Sequence, residues 1–264
     1  MLINACVGTI TTTTLPSSVY IFSISFIATL VRSTFGFGES LVAVPLFLLF
    51  IPLEIAVPLS VLLSITVALV VVVQDHRQIH LSSAKWLILF ALLGIPIGIL
   101  ILLYAQAYWV KISLGALIIA YATYALYGKN TIHLKTDHKW WLFICGFLSG
   151  ILGGAYGLNG PPLAIYGNMR RWTATYFRAT LQAYFLPASL IGAFGYFING
   201  LMNYTVLHYF LISLPALFPA IFLGRYLNQK FKDASFFNYV YIGLIAIGAF
   251  LIINAVFDVH PSSS

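Results

Sequence analysis

Apolar runs of bilayer-spanning length recur along this chain, with only short polar breaks between them. A helix needs about 20 predominantly apolar residues to cross the hydrocarbon of a membrane. Ten apolar segments are expected: Ser17–Arg32, Leu41–Leu53, Ile55–Val73, Lys85–Tyr104 and Tyr108–Leu126, then Lys139–Leu152, Pro161–Met169, Thr175–Phe197, Tyr204–Leu223 and Phe236–Val256. Composition agrees: 61% of the residues are hydrophobic and 7% charged, against about 25% charged in soluble domains. A soluble core of this size could not hide so much apolar surface. An all-α polytopic membrane protein follows.

No polar interval is long enough for a soluble domain. The longest, Gly128–Lys139, reads as a linker between two halves. The expected organisation is a first transmembrane repeat at 1–127, a cytoplasmic linker at 128–138 and a second repeat at 139–264, together one membrane domain. No basic stretch precedes Leu2–Ile10, so the first span is expected to be retained rather than cleaved. Cys6 and Cys145 have no zinc-like or redox-like spacing and read as unpaired thiols.

In each half the first two segments flank a glycine-rich break. The first is Phe35-Gly36-Phe37-Gly38-Glu39-Ser40; the second runs from Gly153-Gly154-Ala155-Tyr156-Gly157 to Leu158-Asn159-Gly160-Pro161-Pro162. Aligning Gly36 with Gly157 brings the later segments into the same order. Five segments per half is an odd number, so the two halves take opposite orientations. If each break is a re-entrant hairpin, three crossings remain per half, which is still odd. An inverted-topology repeat is expected either way, a layout common in secondary transporters.

The cations test this. Alternating placement puts Arg77, Lys85, Lys129, Lys135, Lys139, Arg170, Arg171, Arg178, Arg225, Lys230 and Lys232 on one side and Lys111 on the other, with Arg32 at the first break. Lys and Arg enrich cytoplasmic loops, so both termini are expected to lie outside and the linker inside. Arg178 reads here as a loop anchor. The net charge of +7 is accounted for by topology, and nucleic-acid binding is not expected.

Backbone that leaves the helix inside a membrane needs protein or a water-filled cavity around it. Glycine permits the unusual dihedrals and a close ligand approach, and Pro161-Pro162 suits a new helix start. A helix N-terminus carries free N–H groups and partial positive charge. Two such ends, brought from opposite faces to meet near the midplane, make an anion site. The alternative is that the glycines only allow close helix packing. The candidate binding residues are Arg32, Gly36, Phe37, Gly38, Glu39, Ser40, Tyr156, Gly157, Asn159, Gly160 and Gln182. Arg32 is either a buried anion ligand or a snorkelling cation. Glu39 is read as a partner of Arg32, a helix cap or a carrier of a coupling proton. Tyr156 and Asn159 offer hydrogen bonds to an oxyanion.

No metal ligand spacing, no Ser/His/Asp grouping and no phosphate-binding loop is present, so neither an enzyme nor a cofactor is expected. The expected partners are a small anionic substrate and the lipid bilayer, with a homo-oligomer left open.

Ala28-Thr29-Leu30-Val31-Arg32-Ser33-Thr34-Phe35-Gly36-Phe37-Gly38, running into Leu41-Val42-Ala43-Val44-Pro45, resembles the first-repeat signature of the TauE/SafE sulfite exporter family. Gly146-Phe147-Leu148-Ser149-Gly150 through Gly157-Leu158-Asn159-Gly160-Pro161-Pro162-Leu163 resembles the second, and Arg178-Ala179-Thr180-Leu181 matches a later stretch. The resemblance implies a carrier for sulfite or an organosulfonate such as sulfoacetate in the bacterial inner membrane, with export the expected direction. Glu39-Ser40 and Asn159 stand where many members have glycine. An anion channel, or a membrane subunit of a larger transport complex, is the alternative.

Overall fold

The computed structural model describes residues 15–75, 81–127, 133–230 and 234–258. Among them are ten α-helices and no strand: α1 (Leu15–Phe35), α2 (Glu39–Phe47), α3 (Leu53–Asp75), α4 (Leu81–Tyr104), α5 (Ala107–Tyr127), α6 (Lys139–Tyr156), α7 (Gly160–Met169), α8 (Ala174–Ile198), α9 (Tyr204–Lys230) and α10 (Ala234–Asp258). Six helices contain a stretch long and apolar enough to cross a membrane, in α1, α3, α4, α5, α8 and α9, and α10 holds a shorter apolar stretch, Tyr241–Phe257. Helices satisfy their own backbone groups, which hydrocarbon cannot do. The chain is therefore a multi-pass membrane protein.

α2 and α7 have 9 and 10 residues. At 1.5 Å per residue each reaches about 15 Å, half the hydrocarbon thickness. Both turn back along the helix before them. Tyr20, early in α1, stacks on Phe50, just past α2, with ring centroids 4.7 Å apart. Leu134 N–H, just before α6, donates to the Met169 carbonyl at the end of α7 (2.9 Å). Each pair is thus a helical hairpin whose two ends lie together. Asp137 secures the second hairpin. It accepts from Tyr166 (2.6 Å) and Ser83 (2.8 Å) and pairs with Arg170 (3.0 Å).

The segment expected at Leu41–Leu53 is shorter as a helix, because the chain turns between Leu48 and Pro52 to enter α3. Pro58, Pro96, Pro187, Pro215 and Pro219 lie inside long helices, as membrane-spanning helices tolerate.

The closest helix pairs are α4 with α6 and α1 with α9, followed by α5 with α10 and α3 with α8; α4 also meets α8, and α3 meets α9. Exchanging each of the first five helices with its counterpart in the second five maps these pairs onto themselves. At the α4–α6 contact, Gly94 and Gly98 face Gly146, Gly150 and Gly154, and a Cβ at any of the five would strike the partner's backbone. Spacing small residues by four lets the two backbones touch. On this face the glycines serve packing.

Polarity is inside out. Leu93, Leu100, Leu211, Phe194, Phe222 and Ile253 are exposed, as a lipid-facing surface requires. Arg32, Glu39, Arg178, Gln182, Ser64 and Asn159 are buried. Buried ionisable groups in such a protein face the bundle interior, where function concentrates. Cys6, His76, Arg77, His80, Lys129, Lys232 and His260 lie outside the described residues.

Candidate functional site

α1 ends at Phe35 and α6 at Tyr156; α2 begins at Glu39 and α7 at Gly160. Both intervals are 121 residues. Gly36 and Gly157 take the matching position after each helix, with φ of +84° and +69°. This left-handed geometry suits glycine. Gly157 N–H donates to the Gly153 carbonyl and Leu158 N–H to the Leu152 carbonyl, which closes the C-terminal end of α6. At Gly36 space is short as well. A Cβ there would lie 3.0 Å from the Arg178 Cα.

The first turn brings Arg32 and Glu39, seven residues apart, to 2.5 Å. They are 3% and 1% exposed. The same Nη1 donates to Ser64 of α3, and Nη2 donates to Gln182 of α8 at 2.7 Å. Gln182 Nε2 in turn donates to the Gly36 carbonyl (2.9 Å), so one side chain holds both the cation and the turn. The Phe185 ring lies 4.9 Å from the guanidinium carbon, a cation–π contact. Arg32 is therefore a buried side chain held by α2, α3 and α8, not a snorkelling one.

A cavity lies between the two turns. Arg32, Phe37, Gly38, Glu39, Ser40 and Leu41 line it from the first, Gly157, Leu158, Asn159, Gly160 and Pro161 from the second, and Ser64 and Phe185 close it. It is a cavity of about 20 Å³, room for one or two waters. The starts of α2 and α7 both border it, but they differ as donors. Pro161 and Pro162 lack N–H groups, so α7 offers fewer than α2, while α2 carries the Glu39 carboxylate in its first turn. Two buried oxygens of its lining residues, Glu39 Oε1 and Asn159 Oδ1, have no hydrogen-bond partner.

Of the residues expected at the site, Arg32, Phe37, Gly38, Glu39, Ser40, Gly157, Asn159 and Gly160 border the cavity. Gly36 and Gln182 stand behind it as described. Tyr156 points elsewhere: its hydroxyl is 2.8 Å from Ser113 Oγ of α5. Ser40 accepts from Ser60 (2.9 Å). Ser149 donates to the Asn159 carbonyl (2.6 Å) and accepts from Tyr184 (3.0 Å), tying the second turn to α8.

Ser64 and Phe185 are additions. Ser60 and Ser64, four apart in an otherwise apolar run, were a readable signal of one polar helix stripe. Arg178 is also placed differently from the loop position expected of it. It is 4% exposed and packs under Gly36, because α8 begins at Ala174 and carries it into the bundle.

Phe37 divides the cavity from a wider vestibule. Its ring meets Tyr121 and Phe177 edge-on at 6.0 and 5.9 Å. Beyond it Thr34, Asn168, Trp172 and Asn228 border about 270 Å³ of space.

The model of the family described as "Sulfite exporter TauE/SafE" matches residues 21–251. The chain belongs to that family. It is a family of membrane transporters, and sulfur-anion transport is its assigned role. The chain is similar to the "Probable sulfite/organosulfonate exporter TauE" of Cupriavidus necator (strain ATCC 17699 / DSM 428 / KCTC 22496 / NCIMB 10442 / H16 / Stanier 337), with 26% identity over 172 residues. That match covers 62% of this chain and 64% of the relative's length. No solved structure matches the chain.

Proposed function

We propose that the chain is a secondary carrier that exports a small sulfur-containing anion, sulfite or an organosulfonate such as sulfoacetate, across the bacterial inner membrane. The observation that carries this reading is the cavity where both helix turns meet around the buried Arg32. A guanidinium and the N–H groups of a helix start are complementary to an oxyanion. Arg178 is buried behind the same turn. The relative's printed name, which refers to sulfite and organosulfonate, supports the substrate class.

An inverted repeat joined through the linker at 128–138 is part of the proposal. The matched turns and the exchangeable helix pairs support it. On this reading the hairpins α1–α2 and α6–α7 enter from opposite faces and both termini lie outside. Arg170, Arg171 and Arg225 lie within three residues of Asn168, Trp172 and Asn228, which border the vestibule, and this supports its facing the cytoplasm. The cavity as it stands is too small for a sulfonate, so carriage needs a second conformation in which Phe37 withdraws.

The test is flux of labelled sulfite in proteoliposomes. Saturable counterflow is expected, and Arg32→Ala should abolish it. Conductance that does not saturate would assign the chain to a channel instead.

A further inference from the structure

The charge balance of the cavity carries one further step. Arg32 is the cation an entering anion requires, yet Glu39 already occupies it. Glu39 commits only Oε2 to this pair, while Oε1 is buried without a hydrogen-bond partner. The carboxylate also stands in the first turn of α2, on the positive helix end that an anion would use. A monoanion and an ionised Glu39 sharing one guanidinium in a water-poor cavity would repel each other. Two acids in such a site resolve the conflict when one takes a proton.

Among the described residues, Glu39 is the only acid bordering the cavity. Charged or titratable groups on the elements packed around it are few. Arg32 faces it from α1, and Arg178 of α8 lies behind Gly36. Tyr121 of α5 and Tyr241 of α10 stand beyond Phe37. α3 presents Ser60 and Ser64, α8 adds Gln182, and the second turn presents Asn159, none of which titrates.

We propose that Glu39 carries the coupling proton of this transporter. It releases Arg32 to the anion by becoming the neutral acid, and it returns to Arg32 as the carboxylate when the anion leaves. This rests on the carrier reading above. One proton is taken from water reaching the cavity on the open side, and it is given back to water on the other. No bond of the anion forms or breaks. Anion and proton move together, so a monovalent anion crosses without net charge. An acid exterior then opposes export, and outward flux runs down the anion's own gradient.

Methanesulfonate is the suitable probe, because its charge does not change near neutral pH. The full chain is reconstituted in proteoliposomes containing a trapped pH dye. An inward methanesulfonate gradient should acidify the lumen, at a rate insensitive to an imposed membrane potential. In titrations, affinity should fall about tenfold per pH unit on the alkaline side, the slope of one linked proton. Glu39→Gln should bind without that slope and carry anion in a potential-sensitive way with no pH change, and Glu39→Asp should restore the slope. Wild-type flux that responds to potential and leaves lumen pH unchanged overturns the proton role while the carrier stands. Absence of sulfonate flux overturns the proton role, and absence of sulfite flux as well overturns the carrier reading. The wild-type measurements decide even if Glu39→Gln fails to insert.

Discussion

Arg32 is held by contacts that no other cation could reproduce. Its fork reaches Glu39, Ser64 and Gln182 at once, over the face of Phe185. A lysine ammonium keeps the charge but not the fork. Arg32→Lys should therefore raise the methanesulfonate Kd at least tenfold in calorimetric titration; an unchanged Kd would remove Arg32 from the site. Residues at this scale were unevenly legible. Arg32 and Glu39 stand out because charges inside apolar runs are rare. Phe185 did not, since one phenylalanine in an apolar helix resembles any other. Arg178 misled because its charge also fits the count of cytoplasmic cations, and only the register of α8 shows it buried.

At the level of elements, the glycines divide into two groups that composition alone does not separate. Gly36 and Gly157 have positive φ and turn the chain. Gly98 and Gly150 are helical and admit a neighbouring backbone. Their substitutions should fail differently. Gly150→Leu forces α4 from α6, a change of the overpacking kind that costs about 1–3 kcal/mol. It should lower the melting temperature of the detergent-solubilised protein. Gly157→Val has ordinary space for its Cβ, with Val61 at 3.4 Å, but the wrong dihedral. It should block transport while the protein still inserts. Normal transport by Gly157→Val would mean the second turn plays no part in carriage. The helices themselves were readable from hydropathy. That α2 and α7 fold back as hairpins was not, because hydropathy counts apolar residues and does not record which helix ends meet.

For the whole molecule, two halves with matched turns place one cavity where their short helices begin. The order of segments and the 121-residue offset could be read from the chain, since both rest on glycine and proline positions. The relation between α1 and α8 could not. Gln182 and Arg32 are 150 residues apart and meet only through the packing of α3 against α8. The central claim is that the anion sits at this junction. Selenite, which mimics sulfite and scatters anomalously, tests it in crystals of the protein. The account predicts one anomalous peak within hydrogen-bond reach of Arg32, between the starts of α2 and α7. A peak found elsewhere, with that junction empty at saturating selenite, would contradict it.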